Sequence, residues 1–398
     1  MDYSKIVSNK VIRLPIMWNN DYFPHEIERI LTAYIDLLQS SNFSSDKIEV
    51  IKTFQKSMEL TVTQYYEGKP ALAYESFNDG MKIISMYLSK YIVAFKNIYK
   101  NETSLYRARV NVSTENSKEY SNDDMFHIPF QLRGKVESQR YSISGLPCLY
   151  LGESSYVCWL ELGKPNLDNI SVALVRSRKS SKDISILDLS MLPHQIEIDA
   201  IEDYLMIWPL IALCSICAKQ KDNPFKPEYI IPQLLMQWIQ RRNSEKVDKV
   251  DGIRYFTVAF DTDEDIDSFN NSYLYGPHLY RNIVFPVQNI KPEGKCDYLE
   301  ERFEITKNIS GKALQFFRNA YAQNWNEYPE IQKPYIVVSN TKLEYENTLF
   351  QSIEQALKDE LEGVTPDFSA IITKLTNEGF YNHIDGGTWD NKSSIYFH

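Results

Sequence analysis

The side chains best suited to chemistry lie close together in the sequence, between residues 105 and 161. Arg107 follows the apolar pair Leu105 and Tyr106, and Arg140 precedes a Ser-Ile-Ser-Gly turn. A guanidinium in an apolar strand needs an anionic partner, because burying an unpaired charge is costly. The spacing therefore indicates either an anion-binding site or, as the ordinary alternative, a structural ion pair.

Two further candidates follow on the next predicted strand and helix. Tyr150 lies in the apolar segment CLYLG, and Glu161 ends a short helix that Ser154 or Ser155 can cap. This order of strand, turn and helix brings Tyr150 and Glu161 towards one cleft. The ordinary alternatives are a core position for the tyrosine and a solvated surface position for the glutamate.

Other common catalytic patterns are absent from the sequence. There is no HExxH motif, no serine-hydrolase elbow and no Gly-rich phosphate loop, and only 14 of the 398 residues are Gly. Cys214 and Cys217 have a metal-like spacing but lie in an apolar helix without a second pair of ligands, which favours buried thiols. Arg, Tyr, Glu and Ser or Thr remain as working groups, and no metal is expected.

Composition and charge exclude several classes of protein. With 43 Lys and Arg against 53 Asp and Glu, the formal charge is −10, which argues against binding to nucleic acid or to an anionic membrane. The apolar run at residues 205–218 is broken by Pro209 and is too short to span a bilayer. Five scattered cysteines and the lack of a visible signal peptide predict a reduced, cytoplasmic protein.

The first hundred residues have the periodicity of helices. Helices are predicted over residues 25–38, from Ser45, and over 71–99, with Gly68 placed to end one helix and Pro70 to begin the next. Apolar side chains recur at helical spacing along the second of them, at Ile48, Ile51, Met58, Val62 and Tyr65.

From residue 104 onwards, short β-branched and aromatic segments indicate strands. Helices over 198–220 and 227–242 lie among them, without a regular βαβ alternation, so the fold class is α+β. Two more helices are predicted in the tail, at about 344–361 and 366–378. The predicted strands are 104–110, 148–152, 171–176, 184–189, 253–260 and 281–287.

The order of these motifs resembles the RES domain, a family named for its Arg, Glu and Ser. The two arginines are followed by Gly-x-Pro-x-x-Tyr-Leu and by a Glu eleven residues after the Tyr. The segments PEYIIPQLL from Pro227 and DGIRYFTV from Asp251 are further matches. The resemblance covers roughly residues 104–290. It divides the chain into a helical domain (1–100), a RES-like NAD-binding domain (101–310) and a helical C-terminal extension (311–398).

The resemblance implies a fold like that of ADP-ribosyltransferases, in which a split β-sheet holds NAD. It implies that Arg107 and Arg140 bind the pyrophosphate and that Tyr150 stacks on nicotinamide or closes the pocket. The implied catalytic residues are Glu161, Arg107 and Tyr150, and Thr257 would hydrogen-bond NAD or orient Glu161. The family Ser falls at Thr257, which keeps the hydroxyl but adds a methyl group that stiffens χ1. Asn282 is a further candidate for lining the pocket.

The chemistry of NAD cleavage suits these residue types. Nicotinamide departs as a neutral group, so the transition state gains oxocarbenium character on the ribose, which a carboxylate such as Glu161 stabilises. The acceptor of ADP-ribose is open among water, phosphate and a macromolecule. The resemblance thus implies an NAD glycohydrolase or phosphorylase acting as a growth-arresting toxin or antiviral effector, with NAD as its substrate.

Three alternatives remain at this point. One is an ADP-ribosyltransferase with a specific target, and another is a non-catalytic sensor of NAD or ADP-ribose, which the Thr257 departure supports. A third is a helical interaction scaffold. A toxin would also be expected to have a cognate antitoxin or a regulatory protein as partner, and assembly into a homo-oligomer is left open.

Overall fold

One mixed β-sheet with helices on both sides organises the protein. A computed structural model describes residues 3–18, 22–99, 104–111, 120–220, 222–245, 249–273, 276–306, 308–310, 338–339, 342–343, 345 and 349–362. This arrangement confirms the α+β class.

Most of the N-terminal 90 residues are helical, and further helices lie between the strands and after them. Apolar stripes at helical spacing define the longer ones, and proline begins or nearly begins two of them. In chain order the described helices are α1 (Ser4–Val7), α2 (Phe23–Ser40), α3 (Ser45–Tyr66), α4 (Pro70–Leu88), α5 (Phe95–Ile98), α6 (Ser155–Glu161), α7 (Ile201–Cys214), α8 (Ile230–Ser244), α9 (Asp263–Tyr273), α10 (Asp297–Glu300) and α11 (Leu349–Glu362).

Nine strands of the described chain form the main sheet, and two more form a separate hairpin. The order in the main sheet is β1-β5-β6-β7-β3-β2-β4-β8, with β9 also paired to β4. Only the β5–β6 pair among these is parallel. The strands are β1 (Ile92–Ala94), β2 (Ser104–Val110), β3 (Cys148–Gly152), β4 (Ile170–Ser177), β5 (Ser185–Asp188), β6 (Gly252–Phe256), β7 (Arg281–Pro286), β8 (Phe303–Ile305), β9 (Ile309–Ser310), β10 (Val338–Ser339) and β11 (Lys342–Leu343).

The main sheet opens between β2 and β3. In the described residues these two central strands pair at a single position, Tyr106 opposite Gly152. On the outer sides the pairing is longer, since β2 pairs with β4 over seven positions and β3 with β7 over five. The sheet is therefore two well-paired halves joined at one point, with a gap between them.

The N-terminal helices share a hydrophobic core with α7. Tyr34 of α2 stacks on Trp208 of α7 at 4.2 Å, and its hydroxyl donates to the carbonyl of Leu205. The Trp208 indole donates to the carbonyl of Ile12. Every residue of α7 from Tyr204 to Cys214 is buried, as expected for the apolar run at residues 205–218.

The opposite face of the sheet has a smaller core. Because side chains alternate along a strand, Leu105, Leu149, Leu151, Ile283 and Phe285 share this face. The two cores leave the central strands covered on both sides, so a polar side chain placed there loses most of its water.

Most of the predicted elements are present, and two helix ends were wrong. The helix predicted over 198–220 is α7, which ends at Cys214, because the backbone at 215–217 pairs with Ile16 instead, so Cys217 lies outside the helix. All six predicted strands are found with ends shifted by at most a few residues. The predicted helix over 71–99 instead ends at Leu88, and Ile92–Ala94 forms strand β1 on β5. Ile92 continues the helical spacing, so periodicity alone could not show that pairing to a distant strand would take it.

The tail is described only in part. The helix predicted at 344–361 is present as α11, and the one predicted at 366–378 lies outside the described residues. The division into segments 1–100, 101–310 and 311–398 stays a prediction.

Candidate functional site

Glycine and serine place α6 directly on the end of β3. A Cβ on Gly152 would lie 2.5 Å from Cγ1 of Val157 and 2.8 Å from the carbonyl oxygen of Ser154. The hydroxyl of Ser154 accepts from the Val157 N–H at 3.0 Å and so caps the helix, as the sequence predicts. The short helix consequently carries Glu161, its last residue, within reach of β7, which pairs with β3.

Glu161 is anchored by a residue of the adjoining strand. Asn282 of β7, only 4% exposed, donates from Nδ2 to Oε1 of Glu161 at 2.8 Å. Asn282 lies opposite both Gly152 and Tyr255 in the sheet. The exposed carboxylate is thus fixed to a buried amide rather than free to rotate in solvent.

Arg140 lies within electrostatic reach of Glu161. It is 8% exposed, donates to the carbonyl of Cys214 at 3.3 Å and lies 5.0 Å from the ring centre of Tyr229. Burial acts to lower its pKa, but Tyr229, Tyr141 and Glu161 act to raise it, and the pKa of Arg140 ends above its ordinary value. The structure therefore brings these two sequence candidates within electrostatic reach.

Tyr150 holds the segment that carries Arg140. Its hydroxyl accepts from the Tyr141 N–H at 3.2 Å and is hydrogen-bonded to the Ser142 hydroxyl at 3.1 Å. Burial raises the pKa of Tyr150 well above its ordinary range, so it remains a neutral phenol. Its contacts make it a support for the cleft wall.

Arg107 lies at the sheet opening. Alternation along β2 puts its side chain on the face of Leu105, opposite that of Tyr106. Nη1 crosses the opening and donates to the carbonyl of Tyr150 at 3.0 Å, whereas Nε is buried without a hydrogen-bond partner. Burial and, after it, the charge of Arg109 lower the pKa of Arg107 to about 9.

Thr257 follows β6 and has a fully buried side chain. Its Oγ1 accepts from the Ala259 N–H at 3.2 Å, and its own N–H donates to the carbonyl of Tyr280 at 2.7 Å. These bonds fix the turn after the strand, and the role of Thr257 in binding NAD stays a prediction.

One residue that sequence reasoning missed lies within electrostatic reach of Glu161. The ring of Tyr255 packs on Tyr141 at 4.8 Å, and burial, followed by Glu161 and Tyr150, raises its pKa well above the ordinary value. Tyr255 belongs to the DGIRYFTV segment, but only the strand register shows that it lies opposite Asn282.

A buried ion cluster beside the site was also missed. Arg254 of β6 bonds Glu153 at 2.6 Å and Asp188 at 2.8 Å, with all three side chains largely buried. Glu153 stands between β3 and α6, so the cluster ties the start of the site helix to β5 and β6.

Two further properties bear on the site. Within the described residues, no group of three or more His, Cys, Asp and Glu side chains is arranged to hold a metal ion. No helix in the described part of the chain has the length and apolar character needed to cross a membrane.

Comparison with known proteins identifies a family. The chain is 33% identical over 314 residues to "Putative toxin YopC" of Bacillus subtilis (strain 168), which covers 74% of this chain and 67% of that protein. The chain belongs to the same family as this YopC protein. No family model and no solved structure matches the chain.

Proposed function

We propose that this protein is a toxin of the RES type that consumes NAD by cleaving the bond between nicotinamide and ribose. The family relationship to a protein named as a toxin supports the biological role. The RES-like order of Arg107, Arg140, Tyr150 and Glu161 supports the chemistry. The opening of the sheet between β2 and β3 supports an ADP-ribosyltransferase-like split sheet.

The observation that carries this proposal is the fixed carboxylate of Glu161. Asn282 holds it at 2.8 Å, and the charge of Glu161 acts on both Arg140 and Tyr255. A carboxylate held in place beside a substrate stabilises positive charge that develops during reaction, without reorganising at that moment.

The reaction that fits is a substitution at the ribose carbon. The carbon–nitrogen bond to nicotinamide breaks, and its electron pair neutralises the pyridinium nitrogen, so the leaving group needs no proton. Glu161 stabilises the oxocarbenium character on the ribose, as carboxylates do in glycoside cleavage. The acceptor oxygen then bonds to that carbon and gives up its proton.

The remaining residues bind and support. Arg107, which has an unpartnered buried Nε, contributes positive charge for the phosphate oxygens of NAD. Tyr150 holds the Arg140 segment, and Thr257 holds the turn that follows Tyr255 and Phe256. No step in this scheme needs a metal.

Product analysis tests the proposal and identifies the acceptor. Purified protein is incubated with NAD in phosphate-free buffer, in phosphate, and with a cell lysate, and the products are separated and weighed by mass spectrometry. Free ADP-ribose indicates a glycohydrolase, a phosphorylated ADP-ribose a phosphorylase, and modified lysate protein a transferase.

The matched variants are Glu161→Gln, which keeps the bond from Asn282 but removes the charge, and Lys56→Gln, which removes an exposed charge on α3. We expect nicotinamide release to be lost in the first and kept in the second. NAD left intact under all three conditions would overturn the enzymatic proposal, and intact binding of ADP-ribose would then favour the sensor.

The toxin role follows from the chemistry, because unregulated loss of NAD stops growth. We expect expression of the wild type in a bacterial cytoplasm to arrest growth and Glu161→Gln to relieve the arrest. A partner protein that covers the cleft would act as the antitoxin. If the wild type and Glu161→Gln arrest growth equally, toxicity does not depend on NAD cleavage.

A further inference from the structure

Two neighbouring arginines, each with a buried Nε, form no ion pair with a carboxylate of the described residues. Arg107 and Arg109 are two positions apart on β2, and the Nε atom of each is buried without a hydrogen-bond partner. Their guanidinium groups donate to backbone carbonyls, those of Tyr150 at 3.0 Å and Phe126 at 3.3 Å. Neither forms an ion pair with a carboxylate of the described residues.

The same protein neutralises another buried arginine fully. Arg254, with its side chain 8% exposed, is bonded to both Glu153 and Asp188. The guanidinium carbon of Arg109 lies 5.6 Å from the centre of the Tyr120 ring, and the charge of Asp124 acts on it without an ion pair between them. Two positive charges on one strand without such partners are unfavourable unless an anion joins them.

The spacing of the two arginines selects the kind of anion. Residues two apart on a strand point to the same face and are separated by about 7 Å at Cα. Guanidinium groups bind phosphate oxygens through paired N–H donors. Two flexible arginine side chains at this separation can each bind one of the two linked phosphates of a diphosphate. A single phosphate can bind only one of the two arginines.

Arg140 is differently placed. It is enclosed by the Tyr229 ring and the carbonyl of Cys214, and its electrostatic neighbours include Glu161. This position suits the ribose end of a substrate better than its phosphates.

We infer that Arg109, together with Arg107, forms the diphosphate-binding site of this protein, and that Arg140 serves the reacting end of the cleft. The inference rests on the proposed function for the identity of the substrate as NAD. It assigns Arg109 a binding role that the resemblance to the RES domain does not give it.

Direct binding of inorganic pyrophosphate and of phosphate to the full chain tests the assignment, by titration calorimetry at constant ionic strength. We expect the wild type to bind pyrophosphate at least tenfold more tightly than phosphate. Arg109→Gln should lose at least tenfold in pyrophosphate affinity, which is about 1.4 kcal/mol, because a charge-assisted hydrogen bond to the anion is removed. Arg109→Lys should recover part of the loss, and Lys56→Gln, which removes an exposed charge on α3, should bind as the wild type does.

Three results would overturn the inference. The first is equal affinity of the wild type for pyrophosphate and phosphate, and the second is unchanged pyrophosphate affinity in folded Arg109→Gln. The third is a loss of pyrophosphate affinity that occurs only in Arg140→Gln. Steady-state kinetics with NAD separate this inference from the proposed function. NAD turnover with an unchanged KM in Arg109→Gln refutes the inference alone, whereas Arg109-dependent pyrophosphate binding without NAD turnover refutes the function alone.

Discussion

Replacing Arg107 by Met should stabilise the protein in the absence of ligand. Lowering the pKa of Arg107 from its ordinary value to about 9 corresponds to about 5 kcal/mol against the charged form, at about 1.4 kcal/mol per pKa unit. The side chain keeps partial access to solvent, which reduces this to about 2–3 kcal/mol. Losing its bond to the Tyr150 carbonyl costs about 1 kcal/mol. We therefore expect Arg107→Met to raise the free energy of unfolding by about 1–2 kcal/mol.

Urea unfolding followed by circular dichroism measures this difference, and Arg254→Met is the matched control. Arg254 is buried between two carboxylates, so its removal leaves Glu153 and Asp188 unpaired and should cost about 3–5 kcal/mol. Pyrophosphate should stabilise the wild type and leave Arg107→Met unchanged, because a ligand stabilises only the state it binds. If Arg107→Met destabilises the protein as much as Arg254→Met does, the view of Arg107 as an uncompensated functional charge is refuted.

Three further predictions concern the supports of the site. Burial lowers the pKa of His127 to about 4, and its Nε2 accepts from the Cys296 N–H. The free energy of unfolding should therefore fall by about 3 kcal/mol as the pH drops from 6.5 to 4. Urea unfolding should show this loss in the wild type and not in His127→Gln. Gly152→Ala should push α6 away from β3 and lower kcat for nicotinamide release at least tenfold. A folded Gly152→Ala variant with the kcat of the wild type would contradict this prediction. Burial raises the pKa of Glu354, which accepts from the Ser155 N–H at 2.7 Å. Docking of α11 should therefore weaken as the pH rises from the ordinary pKa of glutamate through the raised pKa of Glu354. Hydrogen exchange of α11 should show this pH dependence in the wild type and lose it in Glu354→Gln, and the same pH profile in both proteins would contradict the prediction.

Local patterns were enough to predict most elements of the fold. The strands 104–110 and 148–152 and the capped helix after Ser154 follow from side-chain types and spacing within a few residues. Gly68 indeed has a positive φ of 74° just after α3, where a helix stop requires it.

Contacts between distant segments could not be predicted in this way. The pairing of β1 with β5, the position of Tyr255 opposite Asn282, and the Arg254 cluster all depend on strand order and register. The docking of Glu354 on the first turn of α6 belongs to the same class, since it joins residues 199 positions apart. The four candidates between 107 and 161 were found because they lie on adjacent elements, whereas Asn282 acquires its role only from the bond to Glu161.

The most direct test of the central claim is the kcat for nicotinamide release from NAD by the wild type and by Glu161→Gln, with ADP-ribose affinity measured on both. We predict that kcat falls at least a hundredfold while the dissociation constant of ADP-ribose changes less than threefold, because Asn282 still holds an oxygen at the same place. Equal kcat values in the two proteins would contradict the account, since Glu161 would then have no part in the reaction.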